Sequence, residues 1–202
     1  HELRTPLTVI RSAAQNLSAG VIADPGQTRK YGDLIDTEGR RLTDMVEQVL
    51  DYAGLTGNRT LRLTDLVDVG VLVDEVVASC QPVVEQSGCA ASVSVDEGLL
   101  VMGDGDALRR AIQNLVTNAL KHAADGRWVG VTAKASPDPS RPEVVVTVSD
   151  RGRGIPSSEA PHVFEAFYRG RRAIDQQVHG NGLGLNLVKR IVEAHGGRIT
   201  LR

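Results

Sequence analysis

Two apolar stripes at helical spacing dominate the N-terminal part of the chain. The first alternates steps of four and three, as one face of a coiled-coil helix does, and consists of Leu3, Leu7, Ile10, Ala14 and Leu17. The second matches it, and consists of Ile35, Leu42, Met45, Val49 and Tyr52. Glu38 is the polar break in that second stripe. The spacing predicts helices over residues 3–17 and 27–52, joined through a turn at residues 24–26.

A short connection makes two such helices an antiparallel hairpin, but each stripe is wider than one partner helix can cover. Pairing two hairpins into a four-helix bundle would bury both stripes, which predicts a homodimer. A hairpin that packs on a second domain of the same chain is the alternative. The peptide Gly-Leu-Thr-Gly-Asn at residues 54–58 ends the hairpin. We therefore predict one domain over residues 1–55 and another over residues 56–202.

The chain opens on the peptide His-Glu-Leu-Arg-Thr-Pro-Leu, which places polar groups beside the first stripe. If the stripe takes the a and d positions of a heptad, His1 falls at b and Thr5 at f, and both face away from the core. An exposed imidazole beside a carboxylate is a usable nucleophile, although such a pair alone is more often a solvated helix surface. Pro6 cannot donate a hydrogen bond to the Glu2 carbonyl, which predicts a bend beside the histidine.

Composition excludes several classes of protein. The net charge of −2 argues against nucleic acid as the main partner, because binding it requires a basic face. Cys80 and Cys89 form neither a disulfide framework nor a metal knuckle, and we expect two free thiols. No apolar run approaches the length of a membrane span. The chain begins in mid-helix and ends as a strand begins at residues 199–202. We therefore expect a fragment that lacks the end of its sheet.

The rest of the sequence alternates between strand and helix periods. Strands are predicted over residues 61–66, 90–95, 99–102, 129–135 and 144–149. Helices are predicted over residues 69–86, 104–123 and 183–195. This mixture predicts an α+β protein: a helical hairpin, then an α/β sandwich with one mixed sheet and its helices on one face.

The helix predicted over residues 104–123 carries two stripes. The apolar stripe consists of Leu108, Ile112, Leu115 and Ala119. The polar stripe lies roughly 120° around the axis, at about 3.6 residues per turn, and consists of Asn114, Asn118 and Lys121. Asparagine is a poor residue in mid-helix, which indicates a functional reason for two of them. A neutral amide oxygen can bind Mg²⁺, and a lysine one turn further on can contact phosphate oxygens.

Two glycine-containing segments point to a nucleotide. Asp150 ends a predicted strand, where its carboxylate can accept the exocyclic amine of adenine. Gly152 and Gly154 follow it and permit close backbone approach and positive φ. The peptide Gly-Asn-Gly-Leu-Gly-Leu at residues 180–185 opens the last helix, where exposed amides attract phosphate. A Rossmann turn is the competing explanation, but no βαβ unit with a ribose-binding acid follows.

Aromatic residues make up only 3% of the chain, yet Phe164, Phe167 and Tyr168 lie together just before a polar stretch that runs to His179. This grouping is consistent with an anchor for a mobile loop. A simple helix with two core phenylalanines is the alternative.

In this order, these segments resemble the characteristic boxes of bacterial sensor histidine kinases. The opening peptide resembles the phosphoacceptor box, Asn-x-x-x-Asn-Ala-x-Lys the N box, Asp-x-Gly-x-Gly the G1 box, the aromatic group the F box and ATP lid, and residues 180–185 the G2 box. The N box pattern is also similar to that of the wider ATPase superfamily, which includes gyrase, mismatch-repair and heat-shock chaperone proteins. The resemblance covers the chain from His1 almost to its last residue.

The resemblance implies that His1 takes the γ-phosphoryl group of ATP, supported by Glu2, and passes it to an aspartate on the receiver domain of a response regulator. By the same pattern, Thr5 would place water for dephosphorylation of that regulator. The residues implied to bind ATP are Asn114, Asn118, Lys121, His122, Asp150, Gly152, Gly154, Ile155, Arg169, Gly180, Gly182, Leu183, Gly184 and Leu185. Mg²⁺ is implied to bind at Asn118 and Asn114.

The resemblance also implies a homodimer in the cytoplasmic portion of a sensor that is anchored in the inner membrane only through upstream segments. Two alternatives stay open. The chain would be a nucleotide-binding regulatory module, or pseudokinase, if it transfers nothing. An ATPase of the gyrase or chaperone type is disfavoured, because those enzymes activate water with a glutamate where Asn114 stands.

Overall fold

The computed structural model describes residues 3–20, 24–56, 61–123, 126–138, 140, 142–175 and 180–202. The chain separates into two compact units, His1–Gly57 and Asn58–Arg202. The predicted fold class is confirmed, since a helical hairpin is followed by an α/β unit with a mixed sheet. None of the helices within these ranges is both long enough and apolar enough to cross a membrane.

The first unit is a hairpin of helix α1 (Arg4–Ser18) and helix α2 (Pro25–Thr56). Asp24 begins α2, because its side chain accepts the N–H of Gln27 at 2.8 Å and its carbonyl accepts the Thr28 hydroxyl at 3.1 Å. Pro25 follows at the first helical position, where a missing N–H costs no hydrogen bond. The residues predicted as a turn therefore form the N-terminal cap of α2.

The face that α1 turns toward α2 differs from the predicted stripe. Pro6 and Ala13 are buried, whereas Leu3 and Leu7 are 45% and 56% exposed. Within one hairpin, α2 therefore leaves these two leucines uncovered, and their burial by a second hairpin stays a prediction. A proline ring and a methyl group allow the two helix axes to approach closely, so the larger leucines lie on the neighbouring face.

On α2 three residues of the predicted stripe face α1 at least in part, with Ile35 and Leu42 half-buried and Met45 buried. Val49 is exposed, and the side chain of Tyr52 lies outside the described residues. The polar break is paired: the Arg41 Nη1 lies 3.4 Å from the Glu38 Oε2, and the two side chains are only 25% and 15% exposed. The large apolar side chains that the hairpin leaves exposed are Leu3, Leu7, Leu34, Val46, Val49 and Leu50.

The second unit contains five strands and four helices among its described residues. The strands are β1 (Leu66–Asp68), β2 (Ala90–Val95), β3 (Leu100–Met102), β4 (Trp128–Ala135) and β5 (Val144–Asp150). The helices are α3 (Val69–Ser87), α4 (Gly105–His122), α5 (Arg171–Asp175) and α6 (Gly184–Ala194). The strand predicted over residues 61–66 was misplaced, since β1 begins only at its last residue. The strand expected to begin at residues 199–202 does not form, and α5 was not predicted.

The strands form two sheets. In the larger sheet, β4 is central, parallel to β2 and antiparallel to β5, with Val131 opposite both Val93 and Val148. β1 and β3 form a separate antiparallel pair that aligns Val67 with Val101. The expectation of a single mixed sheet thus holds for three strands. The other two, β1 and β3, pair only with each other among the described strands.

The core lies between the larger sheet and the helices. Val129, Val131 and Ala133 of β4 alternate along the strand and point into the core, as expected for a sheet with one covered face, and α3 and α4 supply the opposing side chains. These buried residues include Val73, Val76, Ile112, Val116, Val129, Val131 and Ala133. Cys80 belongs to this core, and burial raises the pKa of its thiol. Both cysteines are free, as predicted.

His195 connects the end of α6 to the start of α4. Its Nε2 accepts the backbone N–H of Asp104 at 3.0 Å, and its Nδ1 donates to the Ile191 carbonyl at 2.7 Å. Asp104 in turn caps α4 by accepting the N–H of Ala107 at 3.0 Å. Through these two hydrogen bonds, the histidine links the two helices that carry the predicted N and G2 boxes.

Candidate nucleotide site

The polar stripe of α4 meets the glycine segment of α6 at one close contact. The Asn114 Nδ2 donates to the Arg110 carbonyl at 2.8 Å, which turns its Oδ1 toward α6. A Cβ on Gly184 would lie 3.0 Å from that oxygen. Asn114 and Asn118 are both half-buried, and Lys121 is exposed at the end of the stripe. The predicted N and G2 boxes are thus brought together by direct packing.

The C-terminal end of α4 meets the turn after β5. The Gly152 N–H donates to the Asp150 Oδ1 at 2.8 Å, which closes a tight turn around the carboxylate. A Cβ on Gly152 would overlap the carbonyl oxygen of His122, so only glycine fits between the helix end and the turn. Asp150 itself is exposed and can accept a hydrogen bond from a ligand.

His122 is exposed at the surface, and partial desolvation of its ring lowers its pKa; the neighbouring Asp150 charge opposes that shift, and Lys121 lowers the pKa further. The imidazole is therefore held neutral beside the carboxylate near pH 7. Further along the turn, Gly154 has φ of +68° with no atom within 4 Å of its Cβ position, and Ile155 is exposed. An adenine ring would meet a carboxylate, an open glycine and an apolar side chain here.

Arg151 and Trp128, which were not predicted as site residues, contact each other beside this turn. The Arg151 guanidinium lies 4.8 Å from the centroid of the Trp128 ring, a cation–π distance. The Arg151 N–H also donates to the Trp128 carbonyl at 3.4 Å. Sequence reasoning missed this pair, because the two residues become neighbours only through the pairing of β4 with β5.

The residues that flank the predicted lid on its two sides lie next to each other. The Phe167 N–H donates to the Gly182 carbonyl at 3.0 Å. Both residues have left-handed φ, +64° and +69°, and a Cβ on Gly182 would lie 2.6 Å from the Tyr168 carbonyl oxygen. Gly180 is in open space, Leu183 is buried, and Leu185 and Arg169 are half-buried. Residues 176–179, which include His179, lie outside the described residues.

The alternative of a helix with two core phenylalanines was wrong. Residues 156–167 form turns instead of a helix, and Phe167 is 65% exposed. The carbonyl of Phe164 is nevertheless fixed, since it accepts the Asn186 Nδ2 at 2.7 Å. Asn186 was not singled out from the sequence. A mid-helix asparagine directly after a glycine segment was the available signal.

The predicted phosphoacceptor residues belong to the first unit. Thr5 is exposed on the first turn of α1. His1 and Glu2 lie outside the described residues, so their roles and the bend expected beside them stay predictions.

The oxygen chemistry of the polar stripe fits Mg²⁺. That ion keeps several waters and is usually held by few protein ligands together with substrate phosphates. The orientation of Asn114 leaves its Oδ1 on the side of the glycine segment, where phosphates would bind. Within the described ranges, no group of three His, Cys, Asp or Glu side chains could hold a metal instead.

Comparison with known proteins agrees with both units. Residues 1–57 match the His Kinase A (phospho-acceptor) domain. Residues 103–202 match the family described as histidine kinase-, DNA gyrase B- and HSP90-like ATPases. The chain belongs to the sensor histidine kinases. The phosphoacceptor match distinguishes this sensor histidine kinase from the gyrase and chaperone branches of the ATPase family.

Two mycobacterial relatives of this sensor histidine kinase are each 32% identical to it over the residues they share. The sensor-like histidine kinase SenX3 of Mycolicibacterium smegmatis is 32% identical over 201 residues, which cover 100% of this chain and 51% of SenX3. The chain thus spans about half the length of this curated relative. The solved mycobacterial sensor histidine kinase MprB is 32% identical, with a TM-score of 0.56 over 66% of this chain and 80% of MprB.

Two larger structures match nearly all of the chain. Full-length ShkA in complex with AMPPNP is 27% identical, with a TM-score of 0.69 over 97% of this chain and 40% of ShkA. The histidine kinase ThkA in complex with the response regulator protein TrrA has a TM-score of 0.73 over 98% of this chain and 53% of ThkA. At 23% identity, the match to ThkA shows similarity of fold alone.

Proposed function

We propose that this chain phosphorylates itself on His1 with ATP and transfers the phosphoryl group to an aspartate of a response regulator. The observation that supports this most directly is the contact between Asn114 and Gly184. It joins the polar stripe of α4 to a glycine segment at a helix start, in a chain whose other unit matches a phosphoacceptor domain. The complex of ShkA with AMPPNP supports ATP as the nucleotide.

In the proposed pocket, Asp150 accepts the exocyclic amine of adenine, and the neutral His122 lies beside it. The amides that begin α6 at Gly184 meet the phosphates, where the helix dipole favours negative charge. Lys121 adds a positive charge one turn from Asn118. Mg²⁺ bound at Asn118 and Asn114 would supply charge neutralisation of the phosphate oxygens.

At the phosphoacceptor, Glu2 accepts the N–H of one His1 ring nitrogen, which raises the nucleophilicity of the other. That nitrogen attacks the γ-phosphorus, so the N–P bond forms while the bond from phosphorus to the bridging oxygen of the leaving ADP breaks. The product is a phosphoramidate, which is labile in acid. An aspartate of the receiver domain then displaces the imidazole from phosphorus.

The proposal includes two partners, a second copy of the chain and the receiver domain of a response regulator. Exposed apolar residues on both helices of the hairpin, such as Leu7 and Leu50, support a homodimer, in which a second copy would cover them. ThkA, which shares the fold, is solved with the response regulator protein TrrA, and this supports a receiver domain as the other partner. The net charge of −2 gives no support for nucleic acid.

Two finer activities belong to the proposal. Thr5, exposed on the first turn of α1, is placed to orient water for dephosphorylation of the regulator. The chain is further proposed to lie in the cytoplasm as part of a sensor anchored in the inner membrane, and the names of the relatives as sensor proteins support the sensor role.

The test is incubation of the chain with γ-labelled ATP and Mg²⁺. We expect acid-labile label on the wild type and none on His1→Gln, while His162→Gln, an exposed histidine in the other unit, should label normally. Label that persists in His1→Gln would exclude the assignment. Nucleotide binding without any label in the wild type would indicate a pseudokinase. Asp150→Asn should weaken nucleotide binding in calorimetry, because an amide can present its donor where adenine also donates.

A further inference from the structure

His195 and Asp104 join the two helices of the nucleotide site at the ends that lie away from the glycine segment. Asp104 is the N-cap of α4, and His195 is the C-cap of α6. The Asp104 N–H donates to the His195 Nε2 at 3.0 Å, while the Nδ1 of the same ring donates to the Ile191 carbonyl at 2.7 Å. The two ring nitrogens therefore have separate roles, since one bonds within α6 and the other bonds across to α4.

Gly103 leaves the space that the His195 ring fills. It is buried, and its N–H donates to the Asp65 carbonyl at 2.9 Å. A Cβ on Gly103 would lie 2.6 Å from the His195 Cδ2 and 2.9 Å from its Nε2. Gly103 does not have a positive φ, so the backbone conformation does not require glycine here. The close approach of the imidazole is the physical reason for a residue without a side chain.

Two close contacts fix the position of α6 along α4. At the end of the pair opposite His195, the Asn114 Oδ1 lies 3.0 Å from the position of a Cβ on Gly184. The distance between the two contacts is roughly 15 Å along α4 and roughly 17 Å along α6, for a rise of about 1.5 Å per residue. Leu187 and Val188 bury α6 on the core, but apolar packing is non-directional. The hydrogen bond of His195 is directional, so it helps to set where Gly184 lies relative to Asn114.

We infer that His195 is a positioning residue for the nucleotide pocket. Its bond to the Asp104 N–H holds α6 lengthwise on α4 and thereby keeps Gly184 against the Asn114 oxygen. His195 lies at the opposite end of α6 from the glycine segment, so it acts on the nucleotide only through the helix. The inference rests on the proposed function, because nucleotide is the ligand that Asn114 and the start of α6 would bind.

Two substitutions of His195 separate the bond to α4 from the bond within α6. Asparagine carries its amide nitrogen near the Nδ1 position, so His195→Asn keeps a donor for the Ile191 carbonyl and loses the acceptor for Asp104. Glutamine carries its amide oxygen near the Nε2 position, so His195→Gln keeps that acceptor. In calorimetry of the full chain with AMPPNP and Mg²⁺, His195→Asn should raise Kd about tenfold at unchanged stoichiometry, the ratio for one lost hydrogen bond. His195→Gln should bind like the wild type.

Gly103→Ala tests the same hydrogen bond with His195 left in place. The added methyl group would occupy space that the imidazole fills, so the ring must move away from the Asp104 N–H. We expect the same rise in the Kd of AMPPNP, about tenfold, as in His195→Asn. Gly105→Ala is the matched control, because the nearest atom to its Cβ position is at an ordinary 3.7 Å, and it should bind AMPPNP normally.

The backbone amide signal of Gly184 in NMR spectra of the nucleotide-free chain reports the position of α6 without any ligand. It should shift in His195→Asn and Gly103→Ala, and coincide with the wild-type signal in His195→Gln. Wild-type Kd and Gly184 signals in the first two variants would overturn the inference. Binding by His195→Gln as weak as that of His195→Asn would also overturn it, as would unfolding of both His195→Asn and Gly103→Ala in circular dichroism. If the wild-type chain binds no AMPPNP, the proposed function fails, while the Gly184 signal still decides the role of His195.

Discussion

The side-chain oxygen of Asn114 lies over Gly184, 3.0 Å from the position that a Cβ of Gly184 would take. The contact joins two helices that are far apart in the sequence. It also orients the side-chain amide of Asn114, which the proposed mechanism places beside the nucleotide phosphates. Any side chain at Gly184 must displace that amide before it can disturb the fold.

Gly184→Ala should therefore separate binding from stability. Alanine favours a helix over glycine by about 0.5–1 kcal/mol, which offsets the cost of the close contact, so we expect a melting temperature near that of the wild type. The displaced Asn114 should lower AMPPNP affinity at least about tenfold, as a lost hydrogen bond would. Gly105→Ala in α4 is the control, with its nearest neighbour at an ordinary 3.7 Å, and should bind normally. Unchanged affinity in Gly184→Ala would contradict the assigned role of Asn114.

Gly152 and Gly154 should respond differently to the same substitution. A Cβ on Gly152 overlaps the His122 carbonyl, and overpacking against backbone costs about 1–3 kcal/mol or more. Gly154 has open space, so Gly154→Ala should cost only the left-handed strain of about 1–2 kcal/mol. Urea unfolding of both variants compares the two free energies. A loss in Gly154→Ala that exceeds the loss in Gly152→Ala would refute the packing described for this turn.

The neutral state of His122 predicts a pH dependence of stability. Partial desolvation of its ring places its pKa below the ordinary value in the folded chain, so the unfolded chain takes up the proton first as the pH falls. The contribution of the neutral imidazole is thus complete above about pH 6.5 and is lost as the pH falls through the folded pKa. Thermal unfolding should show a smaller loss of stability on acidification for His122→Gln than for the wild type. Parallel curves for the two proteins would show that His122 is not held neutral.

Substitutions of Thr5 and Glu2 should affect different activities of the first unit. Glu2 should matter for autophosphorylation, and Thr5 for dephosphorylation of the regulator. Glu2→Ala removes the group that supports the nucleophile and should slow autophosphorylation by about 10²–10⁴. Thr5→Ala should leave labelling of His1 largely intact and abolish dephosphorylation of the cognate regulator. Radiolabel time courses on the chain and on the phosphorylated regulator measure the two steps. Loss of labelling in Thr5→Ala, with unchanged circular dichroism, would assign Thr5 to the kinase step.

Much of the fold was predictable because helices depend on local spacing. The helix predicted over residues 104–123 forms as Gly105–His122, and the one predicted over residues 183–195 forms as Gly184–Ala194. The roles suggested by asparagines at helical spacing and by glycines before a helix could likewise be predicted from the sequence. The reason is that the chemistry of an amide oxygen, or of backbone without a side chain, depends on the residue itself. The strand predicted over residues 61–66 failed because β1 is defined by its pairing with β3.

The periodic elements, the order of the boxes and the family that they resemble could all be predicted from local patterns in the chain. The buried face of α1 could not, since the choice between Leu7 and Ala13 depends on how closely α2 approaches. Only the tertiary structure brought Asn114 to Gly184 and Asn186 to Phe164. Spacing along a helix follows from the geometry of neighbouring residues, whereas contacts between distant segments depend on packing and strand register, which no local pattern specifies.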